Sequence, residues 1–186
     1  MDIEDFDGTT KLYMKIGFVI GTRPEVLKIG LVYNKLNEIK PGIAVLIDSQ
    51  QQLQLKEQAL IDLKINPEIK LPRSKKHCLN LKTSHILKKL HTVFSQIDFK
   101  CVVVQGDTMT ALAGALGAFN HGIPVIHIEG GLRSHCLENP FPEEGYRRMI
   151  AQISTINFVH NDHAKFNLES EGVSQSKIIV ARNPLL

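Results

Sequence analysis

The chain has 186 residues, with 22 basic and 19 acidic side chains and a formal net charge of +3. This length suits one domain of ordinary size, and 43% hydrophobic with 22% charged residues is the profile of a soluble globular protein. The charge is small and spread along the chain, which argues against nucleic-acid and membrane partners, because these usually require a clustered basic stripe.

The predicted elements alternate between strands and helices. Residues 1–13 are polar, acidic and without periodicity, so we predict a flexible extension there and a folded domain over 14–186. The apolar and turn patterns predict strands at 15–21, 43–47, 68–71, 101–105, 124–129, 157–160 and 177–181. They predict helices at 24–39, 79–97, 110–119 and 162–171. A further helical stretch follows the second strand and ends at about Leu63, and another helix begins near Pro142. This alternation implies βαβ units, so we predict one α/β domain with a doubly wound, Rossmann-like parallel sheet.

Two of the predicted helices carry a clear apolar face. In the first helix, residues three and four positions apart are apolar, namely Ile29, Val32, Leu36 and Ile39. In the helix over 79–97 the same spacing connects Ile86, Leu87, Leu90, Val93, Phe94 and Ile97. Both faces are expected to pack on the sheet.

The targeting and cysteine patterns predict a cytoplasmic protein. Acidic residues are frequent in positions 1–7, where a secretory signal would be basic, and no apolar run approaches the length of a membrane span. Cys78, Cys101 and Cys136 have no metal-ligand spacing, and an odd, scattered set of cysteines suits a reducing compartment. Cys101 lies within an apolar run and is predicted to be a small buried side chain.

The first strand is followed by the sequence GTRPE, which places a cation where ligands bind in open α/β sheets, at the carboxyl ends of the strands. Arg23 lies beside a helix N-terminus, and Lys28 follows one turn later. Free backbone N–H groups, the helix dipole and a guanidinium together favour an anion such as phosphate. A surface Arg-Pro turn without a ligand remains an equal alternative, because this fold generates such turns everywhere.

Carboxylates follow two later strands. Asp107 comes directly after the strand at 101–105, and it is either a helix cap or a catalytic group. Glu129 ends the next apolar strand, where its carboxylate is either paired with a base such as Arg133 or held for catalysis. His127 lies two residues earlier on the same strand face, and a hydrogen-bonded core histidine is the favoured interpretation.

The segment PFPEEGYRR then begins a helix with two glutamates and two arginines. Glu143 and Glu144 are expected in a first helical turn from the dipole alone, and Arg147 and Arg148 can pair with them at helical spacing. Each piece has a structural explanation. Several carboxylates and arginines that converge on one crevice are nevertheless what acid–base chemistry on an anionic substrate requires.

These segments together resemble a known family. GTRPE with Lys28, QGDT at 105–108, HIEGGLRS at 127–134 and PFPEEGYRR at 140–148 are similar, in order and spacing, to motifs of the non-hydrolysing UDP-N-acetylglucosamine 2-epimerases. The likeness extends from about Met14 to Asn183. The residues Pro24 and Glu25 after GTR favour the non-hydrolysing branch.

The resemblance implies an isomerase with two Rossmann-like domains of the GT-B type and an active site in the cleft between them. It implies interconversion of UDP-GlcNAc and UDP-ManNAc through elimination and re-addition of UDP, without a metal or redox cofactor, in cell-surface polysaccharide biosynthesis. The implied catalytic carboxylates are Asp107, Glu129 and Glu143. The implied cationic residues that bind the UDP-sugar are Arg23, Lys28 and Arg147, to which we add Arg133 as a further candidate.

The chain departs from the family pattern in three places. The Gly-Gln-His or Ala-Gln-His triplet of the family's allosteric region is Ser49, Gln50 and Gln51 here, so regulation through that region is in doubt. The Gly-Asn pair that leads into the second domain is Arg182-Asn183. The second, UDP-binding domain is expected after this point, and the 186 residues hold none of it.

Three hypotheses follow from the missing half. The chain is an epimerase half completed by a second polypeptide or by self-association as a homodimer, or it is a truncated non-catalytic remnant. The third hypothesis, a lobe of another nucleotide-sugar enzyme such as a GT-B glycosyltransferase, agrees less well with the carboxylate pattern. Half a cleft cannot close around a substrate or exclude water, so the activity of the isolated chain is expected to be very low.

Overall fold

The computed structural model describes residues 15–75 and 78–181, in which all the predicted strands and helices are found. The strands in this range are Lys15–Ile20 (β1), Ala44–Asp48 (β2), Ile69–Lys70 (β3), Phe99–Gln105 (β4), Val125–Ile128 (β5), Ile156–Val159 (β6) and Ile178–Val180 (β7). The helices are Arg23–Ile39 (α1), Leu53–Asp62 (α2), Leu79–Gln96 (α3), Met109–Asn120 (α4), Glu143–Ile153 (α5) and Asp162–Ser170 (α6). A short 3₁₀ turn, Gln175–Lys177, precedes β7.

The described strands form one parallel sheet in the order β3-β2-β1-β4-β5-β6-β7. β1 pairs with β2 from Ile16 to Ile20 and with β4 as far as Phe18. The chain thus builds the sheet from β1 towards β3 and then returns to add β4 on the other side of β1. This reversal is a topological switch point, and ligands of open α/β sheets bind at the carboxyl ends of the strands beside it.

Helices cover both faces of the sheet. Phe18 and Val103 belong to a buried cluster with α1 and α2, whereas Val19 and Val104, the next residues along β1 and β4, belong to a cluster with α3, α4 and α5. Successive strand residues point to opposite faces, so the two clusters are the two sides of one sheet. The predicted doubly wound α/β fold is therefore confirmed.

The predicted apolar face of α3 is confirmed, and that of α1 is confirmed only in part. The buried residues of α3 are Ile86, Leu90, Val93 and Phe94. In α1 the buried stripe contains Val26, Ile29 and Tyr33. Ile39 is 73% exposed, because it lies in the last turn beyond Leu36, which still packs against the core.

The expectations about the cysteines, membrane spans and chain ends have different outcomes. Cys101 is half-buried, and burial raises the pKa of its thiol, while Cys78 and Cys136 are exposed. No helix in the described ranges combines the length and apolar character needed to cross a membrane. The predicted extension at 1–13 and the pair 182–183 lie outside the described residues.

Candidate active site

Three loops meet at the carboxyl ends of the central strands. Gly21 and Thr22 follow β1, residues 106–108 follow β4, and residues 129–142 follow β5. Because β1, β4 and β5 are neighbours in the sheet, these loops border one crevice at the topological switch point. We refer to this place, together with the first turns of α1 and α5, as the crevice.

Glu129, the first residue after β5, is held by side chains from two other elements. Lys28 Nζ of α1 lies 2.5 Å from Glu129 Oε1 and 2.6 Å from Oε2. The side-chain amide of Gln105, the last residue of β4, donates to Oε2. The side chains of Lys28 and Glu129 are 18% and 23% exposed. Charge-assisted bonds of this kind are stronger than neutral ones, so the Glu129 carboxylate has a fixed direction.

Glu129 also departs from the alternation of the strand. Its φ of 68° is in the left-handed region, which costs a non-glycine residue about 1 to 2 kcal/mol and therefore requires contacts that hold it.

His127 has different partners, with Nε2 2.8 Å from the Gly106 carbonyl oxygen and Nδ1 3.2 Å from Asn157 Oδ1. The ring is fully buried, and burial lowers the pKa of His127. The predicted hydrogen-bonded core histidine is confirmed.

Asp107 and Arg147 form a second ion pair in the crevice. The Arg147 guanidinium donates to Asp107 Oδ2 through Nε at 3.0 Å and also through Nη2. Thr108, not Asp107, caps α4, because the Thr108 hydroxyl accepts from the Ala111 amide at 3.0 Å. The interpretation of Asp107 as a helix cap is therefore wrong, and its carboxylate lies beside the first turns of α5.

The two glutamates at the start of α5 have different environments. Glu144 is fully buried and accepts from the Ser134 amide at 2.9 Å, from Arg148 Nε at 2.9 Å and from Arg147 Nη1 at 3.3 Å. Burial raises the pKa of Glu144, but these donors outweigh it and hold the pKa below its ordinary value. The pairing at helical spacing is thus confirmed for Glu144. Glu143 is half-buried and forms no hydrogen bond or ion pair within residues 15–75 and 78–181.

Arg133 has its ion pair with α6 rather than with the crevice. Its Nε and Nη2 lie 2.7 and 2.6 Å from the two carboxylate oxygens of Glu171, just after α6. The Arg133 side chain is fully buried. Of the two alternatives for Glu129, pairing with a base is confirmed, but the base is Lys28 rather than Arg133, which makes its bidentate contact with Glu171. In this arrangement Arg133 fastens the loop after β5 to α6 and presents no exposed donor to a substrate.

The N-terminus of α1 holds an exposed cation and a buried carboxylate. Arg23 is exposed and has no hydrogen-bond or ion-pair partner in the described part of the chain. Glu25 is fully buried, and its Oε2 accepts from the backbone amides of Gly21 and Thr22, both at 2.7 Å. Its Oε1 accepts from the Thr108 hydroxyl at 2.5 Å. Burial raises the pKa of Glu25 in spite of these donors.

Glu25 was not among the predicted site residues, although it connects two of the loops around the crevice. The contact with Thr108 joins the loop after β1 to the loop after β4. The spacing of Thr22 and Glu25 is that of a capping box, which is the sequence signal that identifies this role.

A separate cavity of about 360 Å³ lies at the carboxyl end of β2. Its lining residues are Ser49, Gln50, Gln51, Arg73, Ser74, Lys75, Lys82, Ile86 and Met109. Gln51 Oε1 accepts from the Thr110 hydroxyl at 2.7 Å, and Ser49 Oγ lies 2.7 Å from the same hydroxyl oxygen. The loop of the predicted allosteric region is therefore fixed to the first turn of α4, with basic side chains across the cavity.

The crevice as a whole can support acid–base chemistry on an anion. It collects the carboxylates Asp107, Glu129 and Glu143 and the cations Arg23, Lys28 and Arg147. Carboxylates exchange protons, and cations stabilise negative charge on a leaving group. Within the described ranges, no three His, Cys, Asp or Glu side chains lie close enough together to hold a metal ion.

Comparison with known sequences identifies the family of the chain. A family model described as UDP-N-acetylglucosamine 2-epimerase matches residues 38–186. The UDP-N-acetylglucosamine 2-epimerase of Bacillus subtilis (strain 168) is 37% identical over 174 residues, which cover 91% of this chain and 45% of that protein. The chain spans about half the length of the curated relatives it matches.

Solved structures agree with the sequence comparison. The crystal structure of UDP-GlcNAc 2-epimerase from Neisseria meningitidis bound to UDP-GlcNAc matches with a TM-score of 0.87 and 34% identity, over 91% of this chain and 46% of that one. MurG of Acinetobacter baumannii matches with a TM-score of 0.65 and 13% identity over 92% of this chain and 45% of that one, which is a likeness of fold alone. The Rossmann-like unit thus corresponds to about half of a GT-B-type architecture, as predicted. The chain belongs to the UDP-N-acetylglucosamine 2-epimerase family.

Proposed function

We propose that this chain provides the acid–base half of a non-hydrolysing UDP-GlcNAc 2-epimerase, which interconverts UDP-GlcNAc and UDP-ManNAc. The arrangement of the crevice carries the proposal. Glu129 is oriented by Lys28 and Gln105, and Asp107 is oriented by Arg147. Glu143 stands one helical turn before Arg147 without a partner of its own in the described part of the chain.

The chemistry explains why these groups are needed together. The proton on C2 of the sugar is not acidic, so its removal must accompany the loss of UDP from C1. A carboxylate takes the C2 proton, the C1–O bond breaks, and UDP leaves with the bonding electron pair while a C1–C2 double bond forms. Re-addition of UDP at C1 and return of a proton to the other face of C2 give the epimer. Asp107, Glu129 and Glu143 are the candidate acids and bases of these steps.

The cations of the crevice serve the leaving group. The diphosphate of UDP gains negative charge when the C1–O bond breaks, and nearby cations stabilise that charge. Arg23 is exposed and unpaired in the described residues, and Lys28 and Arg147 border the carboxylates. Elimination and re-addition require no redox cofactor, and the proposal includes neither a cofactor nor a metal ion.

The partners of this half are part of the proposal. The chain is matched over 46% of the length of the N. meningitidis enzyme whose structure holds UDP-GlcNAc. We infer a UDP-sugar substrate, a location in the cytoplasm, and as protein partner a second copy of the chain or a separate polypeptide. Gln50 and Gln51, at the separate cavity, are the candidates for an allosteric region.

Proton NMR of the purified chain with UDP-GlcNAc tests the proposal by following UDP-ManNAc and free UDP. We expect both products to form slowly, and Glu129→Gln and Asp107→Asn to abolish them. Glu57→Gln is the matched control, because Glu57 is exposed on α2, outside the crevice, and its substitution removes the same charge. A folded wild-type chain that forms neither product favours the alternative of a non-catalytic remnant, and products that persist undiminished in Glu129→Gln and Asp107→Asn would overturn the proposal.

A further inference from the structure

Two basic side chains of the crevice are already paired with carboxylates. Lys28 is bound to both oxygens of Glu129, and Arg147 is bound to Asp107 through two nitrogens. Arg23 is the unpaired cation among the crevice residues that the structure describes. An anion that enters therefore meets one open cation and two that are neutralised by the protein itself.

The pair of Lys28 and Glu129 lies at the carboxyl ends of the central strands. Lys28 belongs to α1, which follows β1, whereas Glu129 follows β5. β4 lies between these strands in the sheet, and its last residue, Gln105, also contacts Glu129. The ion pair therefore spans the carboxyl end of β4 beside the topological switch point.

The two ion pairs differ in how readily they can exchange. Arg147 donates through two nitrogens to Oδ2 of Asp107 and through the third to the buried carboxylate of Glu144, so both carboxylates fix its planar group. Lys28 is a single charge on a flexible stem, and Glu129 is its partner in this structure. Lys28 can turn to another anion while Gln105 still holds Glu129.

We propose that an anion of the diphosphate class displaces Glu129 from Lys28, so that ligand binding itself frees the Glu129 carboxylate. This inference rests on the proposed function only where it takes the freed carboxylate to be the one that moves the sugar proton. In the ligand-free crevice Lys28 and Gln105 occupy the Glu129 oxygens. After the exchange the ammonium group neutralises the diphosphate, and a Glu129 lone pair is open to accept a proton.

Pyrophosphate is the probe, because it carries the diphosphate charge without the sugar or the uridine. Binding to the full chain is measured by calorimetry at low salt. Since pairing and ligand binding compete for Lys28, Glu129→Gln is expected to bind pyrophosphate about tenfold more tightly than wild type. The matched control Glu57→Gln, on α2, is expected to stay within about twofold of wild type, because exposed charges are well screened.

A double-variant cycle separates exchange from simple repulsion. If Glu129 only repels the anion, Glu129→Gln improves binding equally with and without Lys28. If the two anions exchange on Lys28, the gain disappears in the Lys28→Met background. An equal gain in both backgrounds overturns the proposal, as does Glu129→Gln binding no more tightly than wild type or no variant binding pyrophosphate.

A measurement on the unaltered chain covers the case in which a variant does not fold. In carbon-13 NMR, the Glu129 carboxyl resonance is expected to shift saturably with pyrophosphate, while the resonance of the buried Glu144 stays in place. A Glu129 resonance that does not move at saturating pyrophosphate overturns the exchange. These binding results do not depend on turnover, so a failed product assay leaves them interpretable.

Discussion

The Glu25 carboxylate offers a quantitative test of how the loops around the crevice are held. Its oxygens accept from the amides of Gly21 and Thr22 and from the Thr22 and Thr108 hydroxyls. Glu25→Ala leaves these buried donors without an acceptor, at about 1 to 3 kcal/mol for each unsatisfied group. The two hydroxyls can turn to other acceptors, so most of the lost stability comes from the unsatisfied amides of Gly21 and Thr22. We expect the free energy of unfolding to fall by about 2 to 5 kcal/mol.

The isosteric substitution Glu25→Gln should be far milder. One side-chain oxygen remains for the amides of Gly21 and Thr22, and the new amide group can donate to the Thr108 hydroxyl oxygen. We expect a loss of about 1 kcal/mol or less in equilibrium denaturant unfolding. Glu38→Ala, on the exposed face of the same helix, should change stability by no more than about 0.5 kcal/mol. A Gln variant as unstable as the Ala variant would refute this reasoning, because charge rather than hydrogen-bond acceptance would then hold the loops.

The stability of the wild-type chain and that of Glu25→Gln should differ in their dependence on pH. Burial raises the pKa of Glu25 above its ordinary value of 4.5, so the native chain keeps a proton that the unfolded chain releases. Wild-type stability relative to Glu25→Gln therefore decreases as the pH rises from 4.5 through the raised native pKa, and above that pKa the full decrease remains. Unfolding measured over this range checks the sign, and a wild-type advantage that grows with pH would contradict it.

Three further predictions concern the core and its polar contacts. Glu171→Gln weakens the pair that holds the fully buried Arg133, and should lower the unfolding free energy by about 3 kcal/mol in thermal denaturation; a loss below about 1 kcal/mol would show that water already screens this pair. Leu90→Ala removes a fully buried α3 side chain and should cost about 2 to 5 kcal/mol in denaturant unfolding, so an unchanged midpoint would contradict the packing. Nitrogen-15 NMR should find His127 neutral near neutral pH, because burial lowers its pKa; a ring with both nitrogens protonated would be inconsistent.

The fold and the position of the crevice could be predicted because their signals are local. A strand buried on both faces needs a continuous apolar run such as 101–105, and a helix on a sheet needs apolar residues at its own period. Since the carboxyl ends of parallel strands lie along one edge, the polar residues after β1, β4 and β5 had to come together. Glu25 also has a local signal, because its spacing from Thr22 is that of a capping box and predicts the contact with the Thr22 amide.

The ion-pair partners could not be predicted, because they depend on tertiary geometry. Lys28 and Glu129 are 101 positions apart, and Arg133 and Glu171 are 38 apart. Which cation reaches Glu129 depends on how α1 lies beside β4 and on the left-handed backbone at Glu129. Proximity in sequence favoured Arg133 instead. The exposure of Ile39 has a similar origin, because helical periodicity does not show where the helix passes the edge of the core.

Deuterium incorporation at C2 of UDP-GlcNAc in deuterated buffer tests most directly whether the crevice carboxylates move the sugar proton. We predict slow incorporation by the wild-type chain above a no-protein control, its loss in Glu129→Gln, and wild-type incorporation in the control variant Glu57→Gln. Incorporation that persists undiminished in Glu129→Gln would contradict the acid–base role of this site.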